Sequence, residues 1–230
     1  MFLALALVGS LLGFTFAAVS TYDFVAHLDR QVHGLHCSLL PGLGTPDATG
    51  ASGCHLTLMS PYSSVLRDSI WGGIPISLPA MAVFAFLGFW GGYLWLTQRT
   101  RDPQATAFYA IAAGLPAFMS LVMGIISLSA LSALCKLCLG IYISSAMVLA
   151  GAIGLWRQSV PARTPGGLSA ALEHAPLSLG ALGVAFGAGV LFVATSVIAY
   201  AASTPSFDKY VGSCGTLAKP ADPHKVLLPL

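Results

Sequence analysis

ATAFYAIAAGLPAFMSLVMGIISLSALSAL, residues 105–134, carries no charged side chain, and CKLC, residues 135–138, ends it. About 20 apolar residues suffice for a helix to cross the hydrocarbon core of a bilayer. Lipid offers no partner for stray backbone polar groups, so such a run is read as a spanning helix. Four further uncharged runs occupy residues 1–20, 74–97, 139–156 and 175–202. None shows the two-residue alternation of a barrel strand. The expected fold class is therefore an all-α integral membrane protein with five transmembrane helices.

Composition agrees. Of 230 residues, 56% are hydrophobic and 8% charged, against about 25% charged in soluble domains. A soluble globular domain and a disordered chain are both excluded. A net charge of +2 with no basic run leaves no electrostatic footprint for nucleic acid. Five cysteines are too sparse for a disulfide scaffold.

The first run has two readings. It is a span, or it is a signal peptide cleaved near Phe16-Ala17-Ala18, although it lacks a basic leading segment. Lys and Arg in short loops set the orientation. Loop 98–104 holds Arg99 and Arg101, and loop 157–174 holds Arg157 and Arg163. The longer segment 21–73 holds only Arg30 and Arg67. The two short loops are thus expected in the cytoplasm, with segment 21–73 and the tail 203–230 outside. Trp90, Tyr93 and Trp95 read either as an interfacial belt or as ordinary lipid-facing residues.

All five cysteines then fall on or near the outer side: Cys37 and Cys54 in the long loop, Cys135 and Cys138 between two spans, Cys214 in the tail. That side is where disulfides persist; the bland reading is a set of small buried hydrophobes. Cys135-Lys136-Leu137-Cys138 opens a helix, so both sulfurs lie on its first turn. A helix N-terminus and Lys136 would favour a thiolate there. The same spacing is half of a zinc site, with His33, His36, His55 and a loop cysteine as further donors, but no second spaced pair such as CxxC or HxxxH is present. Cys37 and Cys54 bracket a Pro/Gly-rich stretch. They form either a structural staple or a mobile thiol carrier that exchanges with the CxxC pair.

The stretch Cys54-His55-Leu56-Thr57-Leu58-Met59-Ser60-Pro61-Tyr62-Ser63-Ser64-Val65-Leu66, followed by Gly73-Ile74-Pro75, resembles bacterial members of the vitamin K epoxide reductase family. So do a CxxC at the start of a later helix and Tyr142 four residues beyond Cys138. The resemblance covers roughly residues 5–156. It implies a catalytic core over 1–156, with an outer loop 21–73 and four helices bundled around a quinone (menaquinone, ubiquinone or phylloquinone). A cytoplasmic loop 157–174, a fifth transmembrane helix 175–202 and a tail 203–230 would follow, the tail leading to a fused thioredoxin-like domain or the partner being separate. It also implies that Cys138 reacts with the quinone, that Cys135 exchanges with the loop, and that Cys37 and Cys54 relay electrons from a thioredoxin-like protein. Ser60 and Tyr142 would border the quinone. The implied role is to regenerate disulfide-forming capacity for exported proteins at the bacterial inner (plasma) membrane. The alternative is a non-enzymatic membrane subunit with a structural Cys37–Cys54 disulfide.

Several residues keep two readings. Ser60 borders the quinone or caps a helix beginning at Pro61. Tyr142 lines the pocket or merely sets its hydroxyl at the interface. Gly183 and Gly187 form a GxxxG packing signal. Pro116 is expected to kink its span, and residues 69–73, with Trp71, to cap the pocket. Cys214 is a dispensable free thiol, an anchor for a missing domain, or a third relay cysteine. Three features depart from the family: a wide Cys37–Cys54 spacing, an apparent insertion Arg67-Asp68-Ser69-Ile70-Trp71, and no counterpart in span two of the asparagine that holds the quinone carbonyl in animal members. The last points to quinone reduction rather than epoxide chemistry.

Overall fold

In the computed structural model, the described residues are 1–28, 57–58, 60–67, 69–70, 72–129, 135–160 and 177–204. Cys37, Cys54 and Cys214, His33, His36 and His55, and Trp71 lie outside them. Helix α1 spans Phe2–Leu28. A two-residue antiparallel ladder follows, β1 (Ser64–Val65) with β2 (Ile74–Pro75). Helix α2 is Ser77–Leu96, a short 3-10 turn covers Arg99–Arg101, and α3 is Pro103–Ser129. Helices α4 (Lys136–Ser159) and α5 (Leu179–Ser203) complete the chain's described part. All five helices are long and apolar enough to cross a membrane, and the protein is an all-α integral membrane protein.

Glycine lets α1 and α4 approach backbone to backbone. A Cβ on Gly151 would stand 2.7 Å from both the Phe2 carbonyl oxygen and the Ala6 amide nitrogen. Near the other end of α1, the Phe16 ring covers Gly140. On its opposite side α1 meets α2, where the Phe84 ring lies over Gly13. α3 closes the bundle against α4, and the core runs through Phe84, Leu87, Leu94, Tyr109, Val148 and Ala152. α2 and α3 touch each other least among the bundle's neighbours. α1 is thus an integral wall of the bundle.

Three expectations change. Gly73-Ile74-Pro75 does not open span two; Ile74 and Pro75 pair with Val65 and Ser64, and the helix starts at Ser77. Gly73 has φ +78, and a Cβ there would stand 2.6 Å from the Val65 carbonyl oxygen, so this crossing needs glycine. Trp90 is not a belt residue: it is buried, its Nε1–H directed at the Ala105 carbonyl (3.4 Å), with Phe108 edge-on at 4.8 Å. Trp95, by contrast, is exposed. Gly183 and Gly187 make no close approach to other described residues. α5 instead meets α2 at Gly189, under the Phe86 ring.

The first turn of α3 is held by Asp102, which accepts from the Gln104 (3.0 Å) and Ala105 (3.3 Å) amides. Its second oxygen accepts from Leu177 N–H at 2.8 Å, tying the approach to α5 to the same place. Arg99, Arg101, Asp102 and the last turn of α4 with Arg157 therefore mark one end of the bundle. The CxxC pair marks the other.

Candidate active site: a dithiol at the wall of an apolar cavity

A cavity of about 300 Å³ lies between α2 and α3 at the CxxC end, backed by α1 and α4. Its walls are mainly apolar: Phe24, Val83, Phe84, Leu115, Met119, Met123 and Ile141. Hydroxyls interrupt them at Ser20, Ser60, Ser63, Ser77, Ser120, Ser127, Ser145 and Tyr142. Among the described residues one thiol, Cys138, faces in, and no carboxylate, amine or guanidinium lines the space.

Cys135 is the N-cap of α4, and its sulfur accepts the Cys138 N–H at 3.5 Å. No disulfide joins Cys135 and Cys138 in this structure. Cys135 is 3% exposed and lies outside the cavity lining, packed with Phe16 and Leu137. The Cys138 thiol donates to the Cys135 sulfur and holds Cys135 below the ordinary thiol range, helped by the Cys138 and Leu137 amides. Burial and the Asp23 carboxylate act in the opposite direction. The helix-start effect is as the spacing predicts. Lys136 contributes nothing resolvable, since its side chain is exposed. Asp23, fully buried on α1, was not singled out by the sequence; a lone acid just beyond the uncharged run 1–20 was its only signal.

Tyr142 lies one turn along α4 from Cys138, lines the cavity, and rests its ring near Gly124 of α3. Ser60 is buried and also lines the cavity. It caps no helix: residues 60–63 form a turn leading into β1, and Ser60 Oγ donates to the Thr57 carbonyl at 2.8 Å. Among the described residues, the cavity's cover is thus formed by 57–58 and 60–63, and Ser69, Ile70, Gly72 and Gly73 do not line it; Trp71 lies outside the described residues. Arg67 fastens that cover. Its guanidinium donates to the Ser60 carbonyl, to Ser63 Oγ (3.0 Å) and to Ser64 Oγ (2.5 Å). Arg67, the first residue of the apparent insertion, is therefore a clamp. Pro116 sits within α3, which continues through it, and lines the cavity's inner end.

An apolar, uncharged cavity of this size, edged by hydroxyl groups, suits a neutral planar ligand with carbonyl oxygens. A quinone head group fits that description. A membrane-embedded helical bundle with a dithiol at such a cavity is a membrane redox protein working through thiols. The profile of the vitamin K epoxide reductase family matches residues 4–153, and the chain belongs to that family of membrane thiol oxidoreductases, which are quinone-linked in general. No curated protein and no solved structure matches the chain.

Proposed function

We propose that this protein oxidises protein dithiols outside the bacterial plasma membrane and passes their electrons to a quinone. The observation that carries the proposal is the division of labour in the CxxC pair: Cys138 faces the cavity and Cys135 is buried behind it at the helix N-cap. A thioredoxin-like protein or domain reduces the Cys37–Cys54 disulfide. A loop thiolate then attacks Cys135 in the oxidised pair; a new S–S bond forms, the Cys135–Cys138 bond breaks, and its electron pair leaves on Cys138. The second loop cysteine resolves the mixed disulfide and releases Cys135. Its depressed pKa makes Cys135 a good leaving group for that step. A bound quinone supplies the two-electron, two-proton sink that returns the dithiol to the disulfide. Ser60 and Tyr142 border the head group, and the apolar walls exclude water from it. The net change is dithiol plus quinone giving disulfide plus quinol.

The test is a pair of assays on the full chain in membranes. Cys138→Ser should abolish quinone reduction with any reductant, because the group facing the cavity is gone. Cys37→Ser and Cys54→Ser should retain reduction by a small dithiol and lose it with a protein dithiol. Loop variants that turn over a protein dithiol at the wild-type rate would refute the relay. A quinone-loaded wild type with no charge-transfer absorbance would instead favour a structural subunit.

A further inference from the structure

The inner end of the cavity carries a polar pair that the thiol chemistry does not use. Ser120 Oγ of α3 and Ser145 Oγ of α4 stand 2.8 Å apart, and both residues line the cavity among Leu115, Met119 and Ile141. Ser145 follows Cys138 by seven residues, about 10 Å along the helix axis at ~1.5 Å per residue. It therefore lies on the same face, beyond Tyr142. Ser145 Oγ is also 2.9 Å from the Ile141 carbonyl oxygen. Ser120 makes its only side-chain hydrogen bond among the described residues with Ser145.

Each hydroxyl has one hydrogen, so the pair has two arrangements. If Ser145 donates to Ile141, Ser120 donates to Ser145 and turns only lone pairs toward the cavity. If Ser145 donates to Ser120, the Ser120 hydrogen is free to point inward. The first arrangement accepts a hydrogen bond, the second donates one, and no heavy atom moves between them. A carbonyl needs a donor and a hydroquinone hydroxyl offers one. The pair matches both redox states of the same oxygen.

We infer that Ser120 and Ser145 form a second polar anchor, holding the quinone oxygen remote from Cys138. The inference rests on the quinone reading above. It also accounts for the missing span-two asparagine: α2 brings no carboxamide to the cavity wall, and the hydroxyl pair on α3 and α4 supplies the contact instead. A simple interhelical link between the two serines is the competing account, and it predicts no spectral change in a bound quinone.

The test uses the full chain in lipid and menadione labelled with carbon-13 at one carbonyl at a time, read by infrared difference spectroscopy. Ser120→Ala should shift one carbonyl stretch to higher frequency, leave the other in place, and weaken menadione binding about three- to tenfold, the size of one lost neutral hydrogen bond. Ser120→Thr, which keeps the hydroxyl, should restore both the frequency and the affinity. Ser145→Ala should move the same carbonyl as Ser120→Ala. Wild-type binding with both carbonyl bands unmoved in Ser120→Ala would overturn this anchor while leaving the quinone reading intact. No menadione binding by folded wild type would overturn the quinone reading itself.

Discussion

Cys135 has its reactivity set by neighbours within one turn of helix. Its sulfur is an acceptor for the Cys138 thiol and for the Cys138 amide, and these outweigh burial. Thiolate absorbance against pH should therefore rise in the reduced protein below the ordinary cysteine value of about 8.5. Cys138→Ala removes the leading donor, so the midpoint for Cys135 should move upward. An unchanged midpoint in that variant would mean that the thiol bond does not control Cys135. Here the sequence was informative about position and less so about cause. CxxC spacing at a helix start is a local pattern, legible without coordinates. That the donor is a neighbouring thiol rather than Lys136 depends on side-chain direction, because Lys136 turns outward. Ser60 shows the same limit: Ser-Pro reads as a helix cap, yet the hydroxyl donates backward to Thr57 and the chain turns into a strand.

Between elements, the close seam is α1 on α4. Gly151→Ala would place a methyl against the backbone of Phe2 and Ala6, not against a side chain that can rotate away. The helices must part, at a cost of about 1–3 kcal/mol, typical of an overpacked core. Thermal unfolding in detergent should fall by several degrees, whereas Gly114→Ala, whose Cβ would meet nothing within 4 Å, should leave it unchanged. Equal melting of the two variants would show that the seam is not tight. The spans themselves were legible from charge-free runs, since lipid leaves helices few alternatives. The cover over the cavity was not. It depends on Leu66 and Gly73 taking positive φ (58 and 78), which brings Arg67 back over Ser60, Ser63 and Ser64. A seven-residue return of this kind leaves no hydrophobic period to read. GxxxG misled for a related reason: Gly183 and Gly187 carry the pattern, but α5 meets α2 through Gly189.

For the molecule as a whole, the charge distribution and the packing address the same question independently. Arg99, Arg101 and Arg157 lie at one end, and the Asp102 carboxylate there holds the Leu177 amide at 2.8 Å. The residues just before α3 and just before α5 therefore share a side, as expected if two short cytoplasmic loops lead into these helices. The Cys135–Cys138 pair and the cavity lie at the opposite end. The positive-inside bias predicts that the dithiol faces outward, within reach of an extracytoplasmic partner. To test this, intact cells are first treated with a membrane-impermeant maleimide, then lysed and treated with a second, distinguishable maleimide. In Gln98→Cys, the added cysteine should escape the first reagent and take the second. Cys214, in the tail after α5, should be consumed by the first after mild reduction. Blocking of Gln98→Cys in intact cells would invert the protein. It would also remove the route by which an outside dithiol reaches Cys135, because the pair would then face the cytoplasm.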